Sequence, residues 1–150
     1  INNQIIMEKF KRAGALILSN DLKNCLMVFQ KSSQLWGIPK GHVEKNENSF
    51  MCMLREVREE IGLNLNNIKF EVLGNIVIYK ESYIYIIRLF LDILPILSPP
   101  FERGNENHEI SKIEWVTIND SFKRKNNSIT KNALYSFKKY MENKNCVKVY

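Results

Sequence analysis

One stretch of the sequence decides the fold: residues 41–63 read GHVEKNENSFMCMLREVREEIGL. Asn48 or Ser49 suits the N-cap of a helix and Gly62 suits its end, so the stretch predicts a helix over residues 49–61. At about 100° per residue, its apolar residues share one face, which is expected to pack against the rest of the protein. These residues are Phe50, Met53, Leu54, Val57 and Ile61.

Three glutamates lie on a different face of the predicted helix. Glu59 and Glu60 follow Glu56 by three and four residues, so the three carboxylates converge on one side of the helix. Crowded carboxylates repel one another, and the single guanidinium of Arg55 does not neutralise all three. A hard divalent cation does, because Mg²⁺ and Mn²⁺ prefer oxygen ligands. The alternative is a solvated acidic stripe, which the helix taken alone does not exclude.

The spacing outside the helix is equally specific. Gly41 is followed after five residues by Glu47, and after seven more residues the sequence reads REVREEIGL over residues 55–63. This pattern resembles the Nudix box at each of its defined positions. The resemblance implies an α/β fold, the Nudix α/β/α sandwich around a mixed β-sheet. It also implies divalent-metal-dependent hydrolysis of a nucleoside diphosphate linked to another group.

The resemblance further assigns roles to single residues. It makes Glu56, Glu59 and Glu60 metal ligands for Mg²⁺ or Mn²⁺, joined by the backbone carbonyl of Lys40. Arg55 is expected to orient the glutamates, and Glu47 to support the loop or the outer shell of the metal. Gly41 allows close backbone approach, and Gly62 ends the helix in a conformation that β-carbons disfavour. Cys52 is expected to be a small buried residue, because thiolates are poor partners for Mg²⁺.

The rest of the chain supplies strands for such a sandwich. Residues 13–18 and 25–29 predict two strands joined by a polar turn, and residues 36–41, with one Pro and two Gly, predict a loop. Further strands are predicted at residues 69–79, 83–93 and 110–117, an exposed loop at 95–107, and an amphipathic helix at 131–143. We expect residues 1–150 to form a single domain, because no linker divides them.

The loop before the helix narrows the substrate class. Residues 39–44 read PKGHVE, which resembles the asymmetrical diadenosine tetraphosphate hydrolases, enzymes that release AMP and ATP. In this interpretation Lys40 offers a positive charge and His42 a hydrogen-bond donor to the polyphosphate. The predicted partner is therefore a dinucleoside polyphosphate substrate.

A second similarity to those hydrolases lies downstream. Glu109 follows His108 and stands six residues before Trp115, which makes Glu109 the candidate general base or additional metal ligand. Glu106 and Glu114 compete for that role, and Glu114 is the weaker because it falls within a strand pattern. The remaining candidate substrate contacts are Tyr85, Lys80 and Tyr135.

Two other functions remain open. Residues 52–57 and 109–115 also resemble messenger-RNA decapping Nudix proteins, and a cap is itself a dinucleoside triphosphate. The chain is shorter than expected for a decapping enzyme with its helical regulatory domain. The last alternative is a non-catalytic Nudix module that binds nucleotide or RNA. Such modules usually lose glutamates of the box, whereas this sequence keeps all of them.

Charge and cysteine content set the remaining expectations. The net charge is +6, and residues 121–150 contain eight basic residues and one acid, so the basic excess is C-terminal. That segment is a candidate RNA contact through long-range attraction, or a solvated helix face. Three widely spaced cysteines and the lack of a 20-residue apolar stretch favour a cytoplasmic protein with no membrane partner. We expect a monomer.

Overall fold

The computed structural model describes residues 10–97 and 109–146, without the side chains of residues 145 and 146. It contains seven strands and three α-helices within these ranges. The strands are β1 (Arg12–Leu18), β2 (Asn24–Gln30), β3 (Leu35–Gly37), β4 (Lys40–His42), β5 (Phe70–Ile78), β6 (Ser82–Leu89) and β7 (Ile110–Thr117). The helices are α1 (Ser49–Ile61), α2 (Ile118–Lys123) and α3 (Ser128–Cys146), and a 3₁₀ turn spans Leu65–Asn67.

The sheet is mixed, and strands β1 and β2 splay apart within it. β1 pairs in parallel with β6, which pairs antiparallel with β5, while β2 pairs antiparallel with β7. Strands β1 and β2 pair only at Leu18 and Cys25. Beyond that point β4 pairs with β1 and β3 pairs with β2. The splay therefore brings the segment that precedes α1 into the middle of the sheet.

Each face of the sheet carries its own core. Alternate residues of β1 point to opposite faces, as the two-residue period of a strand requires. Ala13, Ala15 and Ile17 pack with buried residues of α1, whereas Leu16 and Leu18 pack with α3. The predicted α/β/α sandwich around a mixed sheet is confirmed.

Several predicted boundaries are correct and others are wrong. The predicted helix at 49–61 and strand at 110–117 match α1 and β7. The predicted loop at 36–41 instead contains β3 and β4 around a short break at Ile38 and Pro39. The strand predicted to reach residue 93 ends at Leu89, because both neighbouring strands end there: Leu18 pairs with Arg88 and Phe70 with Leu89.

The C-terminal region contains one helix more than the prediction. Thr117 caps α2 by accepting a hydrogen bond from the Asp120 N–H at 3.2 Å. Asn127 accepts one from the Thr130 N–H at 2.9 Å, so α3 begins at Ser128 rather than at residue 131. Residues 98–107 of the predicted loop lie outside the described residues. None of the described helices is both long and apolar enough to cross a lipid bilayer.

Candidate active site

Two caps fix the register of α1. The Asn48 side chain accepts a hydrogen bond from the Met51 N–H at 2.7 Å. At the other end Gly62 adopts φ 73° and donates its N–H to the Arg58 carbonyl at 2.9 Å. A left-handed residue at this position favours glycine, because a β-carbon is disfavoured there. Because both ends of α1 are fixed, its apolar face is buried and its glutamates lie beside β4.

Arg55 is the centre of a network of ion pairs. Its Nε and Nη2 atoms contact the two carboxylate oxygens of Glu47 at 2.8 and 2.9 Å. Its Nη1 donates to Glu56 at 2.8 Å and to Glu59 at 3.1 Å. Nη2 also donates to the His42 carbonyl at 2.9 Å. Arg55 therefore ties α1 to the preceding loop, the geometry expected of a residue that orients glutamates.

The pKa values of two glutamates bound by Arg55 shift in opposite directions, although its charge lowers both. The guanidinium lowers the pKa of Glu47 to about 2, and Glu47 in turn accepts the Glu44 N–H at 3.1 Å. Glu47 thus supports the loop. The pKa of Glu56 is raised instead, because the effect of burial exceeds that of its hydrogen bond to Arg55.

Glu60 is the most strongly perturbed carboxylate of the site. Burial raises its pKa to about 8, and the negative charge of Glu56 adds to the effect. The backbone N–H of Lys40 donates to its Oε2 at 3.2 Å. A carboxylate held in such surroundings is typical of functional sites rather than of a solvated acidic stripe.

Gly41 lies directly against the Glu56 carboxyl group. A β-carbon at position 41 would stand 2.1 Å from the Glu56 carboxyl carbon, so only glycine fits without displacement. Cys52, next to this contact, is buried as predicted, and burial raises its thiol pKa to about 12.

The donor chemistry of the site suits a hard divalent cation. Glu56, Glu59 and Glu60 supply carboxylate oxygens only, and burial makes two of them unfavourable as bare anions. Within residues 10–97 and 109–146, however, no three His, Cys, Asp or Glu side chains stand close enough to hold an ion together. Arg55 engages Glu56 and Glu59, and the Lys40 N–H engages Glu60. Metal binding therefore requires these carboxylates to turn from their present partners.

The structure does not bring Glu109 to the glutamates of α1. Its carboxylate accepts hydrogen bonds from the Ser32 hydroxyl and N–H, at the turn that follows β2. Glu114 lies in β7 and pairs with Arg124 at 2.9 Å, which removes it from the site. Glu106 lies outside the described residues.

The predicted substrate contacts fall in different places. Lys40 and His42 belong to β4, beside Glu60 and Arg55. The Tyr85 hydroxyl lies 3.0 Å from Ser49 Oγ at the start of α1. Lys80 is exposed in the tight turn between β5 and β6.

The prediction that Tyr135 belongs to this site is wrong. Tyr135 lies on α3, exposed beside Lys139, and α3 covers the opposite face of the sheet from the glutamates. An amphipathic pattern places a residue on a helix, but it does not reveal which sheet face that helix covers.

Sequence reasoning missed the aromatic group next to Tyr85. Phe50 was assigned to the packing face of α1, yet it is 37% exposed and meets the Tyr85 ring edge-on at 5.6 Å. Tyr83 stands 4.8 Å from Tyr85 and 4.9 Å from Phe10. The alternation of Tyr83 and Tyr85 was the available signal, because alternate strand residues share a face.

Comparison with known proteins shows the family to which the chain is related. The family model for the NUDIX domain matches residues 9–137. The chain is 33% identical over 125 residues to mRNA decapping complex subunit 2 of Schizosaccharomyces pombe, covering 81% of this chain and 16% of that protein. It is 27% identical over 146 residues to Nudix hydrolase 7 of Arabidopsis thaliana, covering 92% of this chain and 49% of that protein.

A solved structure shows the same fold. The C. elegans Ap4A hydrolase binary complex superimposes with a TM-score of 0.67 at 18% identity, covering 89% of this chain and 99% of that one. The chain spans half or less of the length of the S. pombe and A. thaliana relatives named above. Nudix hydrolases generally use divalent metals such as Mg²⁺, in keeping with the carboxylate donors of α1. The chain belongs to the Nudix family of hydrolases.

Proposed function

We propose that this domain hydrolyses the 5′ cap of messenger RNA. The observation that carries the proposal is the 33% identity to the S. pombe decapping subunit, which extends over 81% of this chain. The likeness to the Ap4A hydrolase structure, at 18% identity, supports the fold and not the substrate. Capped RNA is therefore the first candidate substrate. Diadenosine tetraphosphate, the first candidate from the sequence, becomes the second.

The residues of the site divide the work of the proposed reaction. Glu56, Glu59 and Glu60 would hold Mg²⁺ or Mn²⁺, with the Lys40 carbonyl as a further ligand. When bound, the metal neutralises phosphate charge and lowers the pKa of water. Arg55 and Glu47 keep the glutamates in place through the contacts described above. Lys40 and His42 bind and orient the phosphates. Glu109 would take a proton from the attacking water only once its carboxylate has left Ser32.

The surface formed by α2 and α3 is basic. Exposed lysines of α2 and α3, among them Lys123 and Lys138, lie on the sheet face opposite the glutamates. Such lysines attract RNA without reading its sequence.

Hydrolysis of dinucleoside polyphosphates is the second candidate. It rests on the resemblance of residues 39–44 to those hydrolases, and it is supported by two backbone contacts: the Lys40 N–H donates to Glu60 and the His42 carbonyl accepts from Arg55. Because a cap is a dinucleoside triphosphate, both substrates present the same phosphate chain to the same carboxylates.

Product analysis separates these functions. The chain is incubated with Mg²⁺ and, in separate reactions, capped RNA, diadenosine tetraphosphate and ADP-ribose. Release of 7-methyl-GDP supports decapping, and preferential release of AMP and ATP from the tetraphosphate supports the second candidate. Glu60→Gln is the matched control, since it removes one buried carboxylate. Binding of either substrate without turnover contradicts both and favours a non-catalytic module.

A further inference from the structure

The face of the sheet opposite α1 carries an apolar groove that the proposed chemistry does not use. It lies between α2, α3 and the turn from β1 to β2, and its volume is about 820 Å³. Its floor is formed by Ile118, Phe137 and Met141, which belong to the α3-side core or pack against it. An apolar ligand on this floor would therefore contact residues of the protein core or residues packed against it.

Every charged side chain that lines the groove is a lysine. Lys23, Lys123 and Lys138 form its rim. Lys123 pairs with Asp120 at 3.8 Å, and Lys23 lies near Asp21, whose pKa its charge helps to lower. Phe122 stands between these lysines, 43% exposed, with the Lys138 ammonium 5.8 Å from its ring centre. The rim thus favours anionic groups around an apolar centre.

A strained residue contributes to the same groove. Leu22 adopts φ 63°, the left-handed region that a residue with a β-carbon rarely enters. Asn20 and Asp21, in the same turn, are residue types that tolerate this conformation better, yet the left-handed position holds leucine. Its side chain lines the groove and packs on the core.

We propose that this groove binds a short acidic segment of a partner protein, with two apolar anchor side chains one helical turn apart. The anchors would contact the floor at Phe137 and Met141, and the acidic groups would pair with the lysines of the rim. This is the arrangement of an amphipathic helix in a hydrophobic groove. RNA fits this groove less well, because its phosphates gain nothing from contact with an apolar floor. Since the groove and the glutamates lie on opposite faces, the partner leaves the reaction unobstructed.

The test begins with a peptide-display selection against the whole chain. Enriched peptides are then measured by fluorescence anisotropy against wild type, Phe122→Ala and Lys23→Glu. The matched controls are Ile93→Ala, 84% exposed elsewhere, and Lys45→Glu in the exposed loop before α1. We expect acidic peptides with two spaced apolar residues, bound about tenfold more weakly by each groove variant and equally by each control. Thermal unfolding midpoints verify that the variants fold.

Several outcomes would overturn the proposal. Enrichment of basic peptides, or of peptides without a pair of apolar residues, would do so. Peptide binding that is unchanged in both groove variants would do so as well. Displacement of the peptide by an uncapped RNA oligonucleotide at high salt, where the diffuse attraction of the lysines is screened, would assign the groove to nucleic acid. A dimer that Phe122→Ala dissociates, measured by sedimentation, would assign it to a second copy of this chain.

Discussion

Helices α1 and α3 cover opposite faces of one sheet, and the charged side chains on the two faces differ in their exposure to solvent. Around α1, the side chains of Glu47, Glu56 and Arg55 are 11%, 12% and 15% exposed. On α3 and the adjoining α2, Lys139 is 53% and Lys123 is 78% exposed. Charge is enclosed on one face and solvated on the other.

In the proposed function, this difference in exposure separates a face suited to chemistry from a face suited to attracting ligands. Burial near other carboxylates raises the pKa of Glu56 and Glu60, so the fold holds these groups in an unfavourable state. Exposed lysines lose little solvation, and their field is screened by salt. Substitutions should therefore have large effects on the α1 face and small, salt-dependent effects on the α3 face.

The largest effect is expected from the glutamates themselves. Glu59→Gln and Glu60→Gln should each lower turnover at least about a hundredfold, because a lost metal ligand removes several kcal/mol of transition-state stabilisation. The fold should survive, since one repelling charge is removed. Single-turnover rates and unfolding midpoints measure both effects, with Glu142→Gln on α3 as the control. Unchanged rates in both variants would contradict the assignment of the site.

Glu109 provides the next test. As a general base it should contribute about a hundredfold to turnover, so Glu109→Gln should lower kcat with little change in KM. Glu114→Gln should affect kcat much less, because Glu114 is paired with Arg124. If Ser32→Ala reproduces the loss, Glu109 acts by holding the turn after β2 rather than as a base.

Gly41 tests how tightly the α1 face is packed. Gly41→Ala should lower turnover about tenfold or more, because the new β-carbon displaces the Glu56 carboxyl group. Gly74→Ala is the matched control, since no atom lies within 4 Å of its added β-carbon. Equal turnover in the two variants would show that the Glu56 position is not critical.

The pH dependence of stability should report the buried state of Glu60. Its pKa rises from an ordinary value of 4.5 to about 8 on folding, so the folded chain binds the proton more tightly. Without metal, Glu60 should therefore lower stability progressively as pH rises from about 4.5 to 8. Glu60→Gln should raise the unfolding midpoint in EDTA more at pH 9 than at pH 5. A pH-independent difference would contradict this.

The smallest effect is expected on the basic face. Neutralising Lys123 and Lys125 should weaken capture of RNA a few-fold at low salt, where the Debye length is about 30 Å at 0.01 M, and hardly at all at high salt. Arg124 must be spared, because it pairs with Glu114 and stacks on Trp36 at 4.3 Å. Salt-independent loss of RNA binding would indicate specific contacts instead of a diffuse field.

Local signals predicted part of this structure well. The bounds of α1 follow from Asn48 and Gly62, because caps act on their own helix. Strands β3 and β4 could not be found in this way, since each is three residues long and exists through pairing with β2 or β1. Helix α2 was missed because its six residues carry little periodicity.

The sequence by itself determined which carboxylates share one side of α1: the spacing within residues 41–63 sets Glu56, Glu59 and Glu60 about one helical turn or less apart, because helical periodicity is a local property. Only the tertiary structure decided the state of those carboxylates. It buried Glu60, placed Gly41 against Glu56 and engaged Arg55 with Glu47. It also placed Tyr135 on the face opposite the glutamates. Burial and pairing depend on residues distant in the chain, which no local pattern encodes.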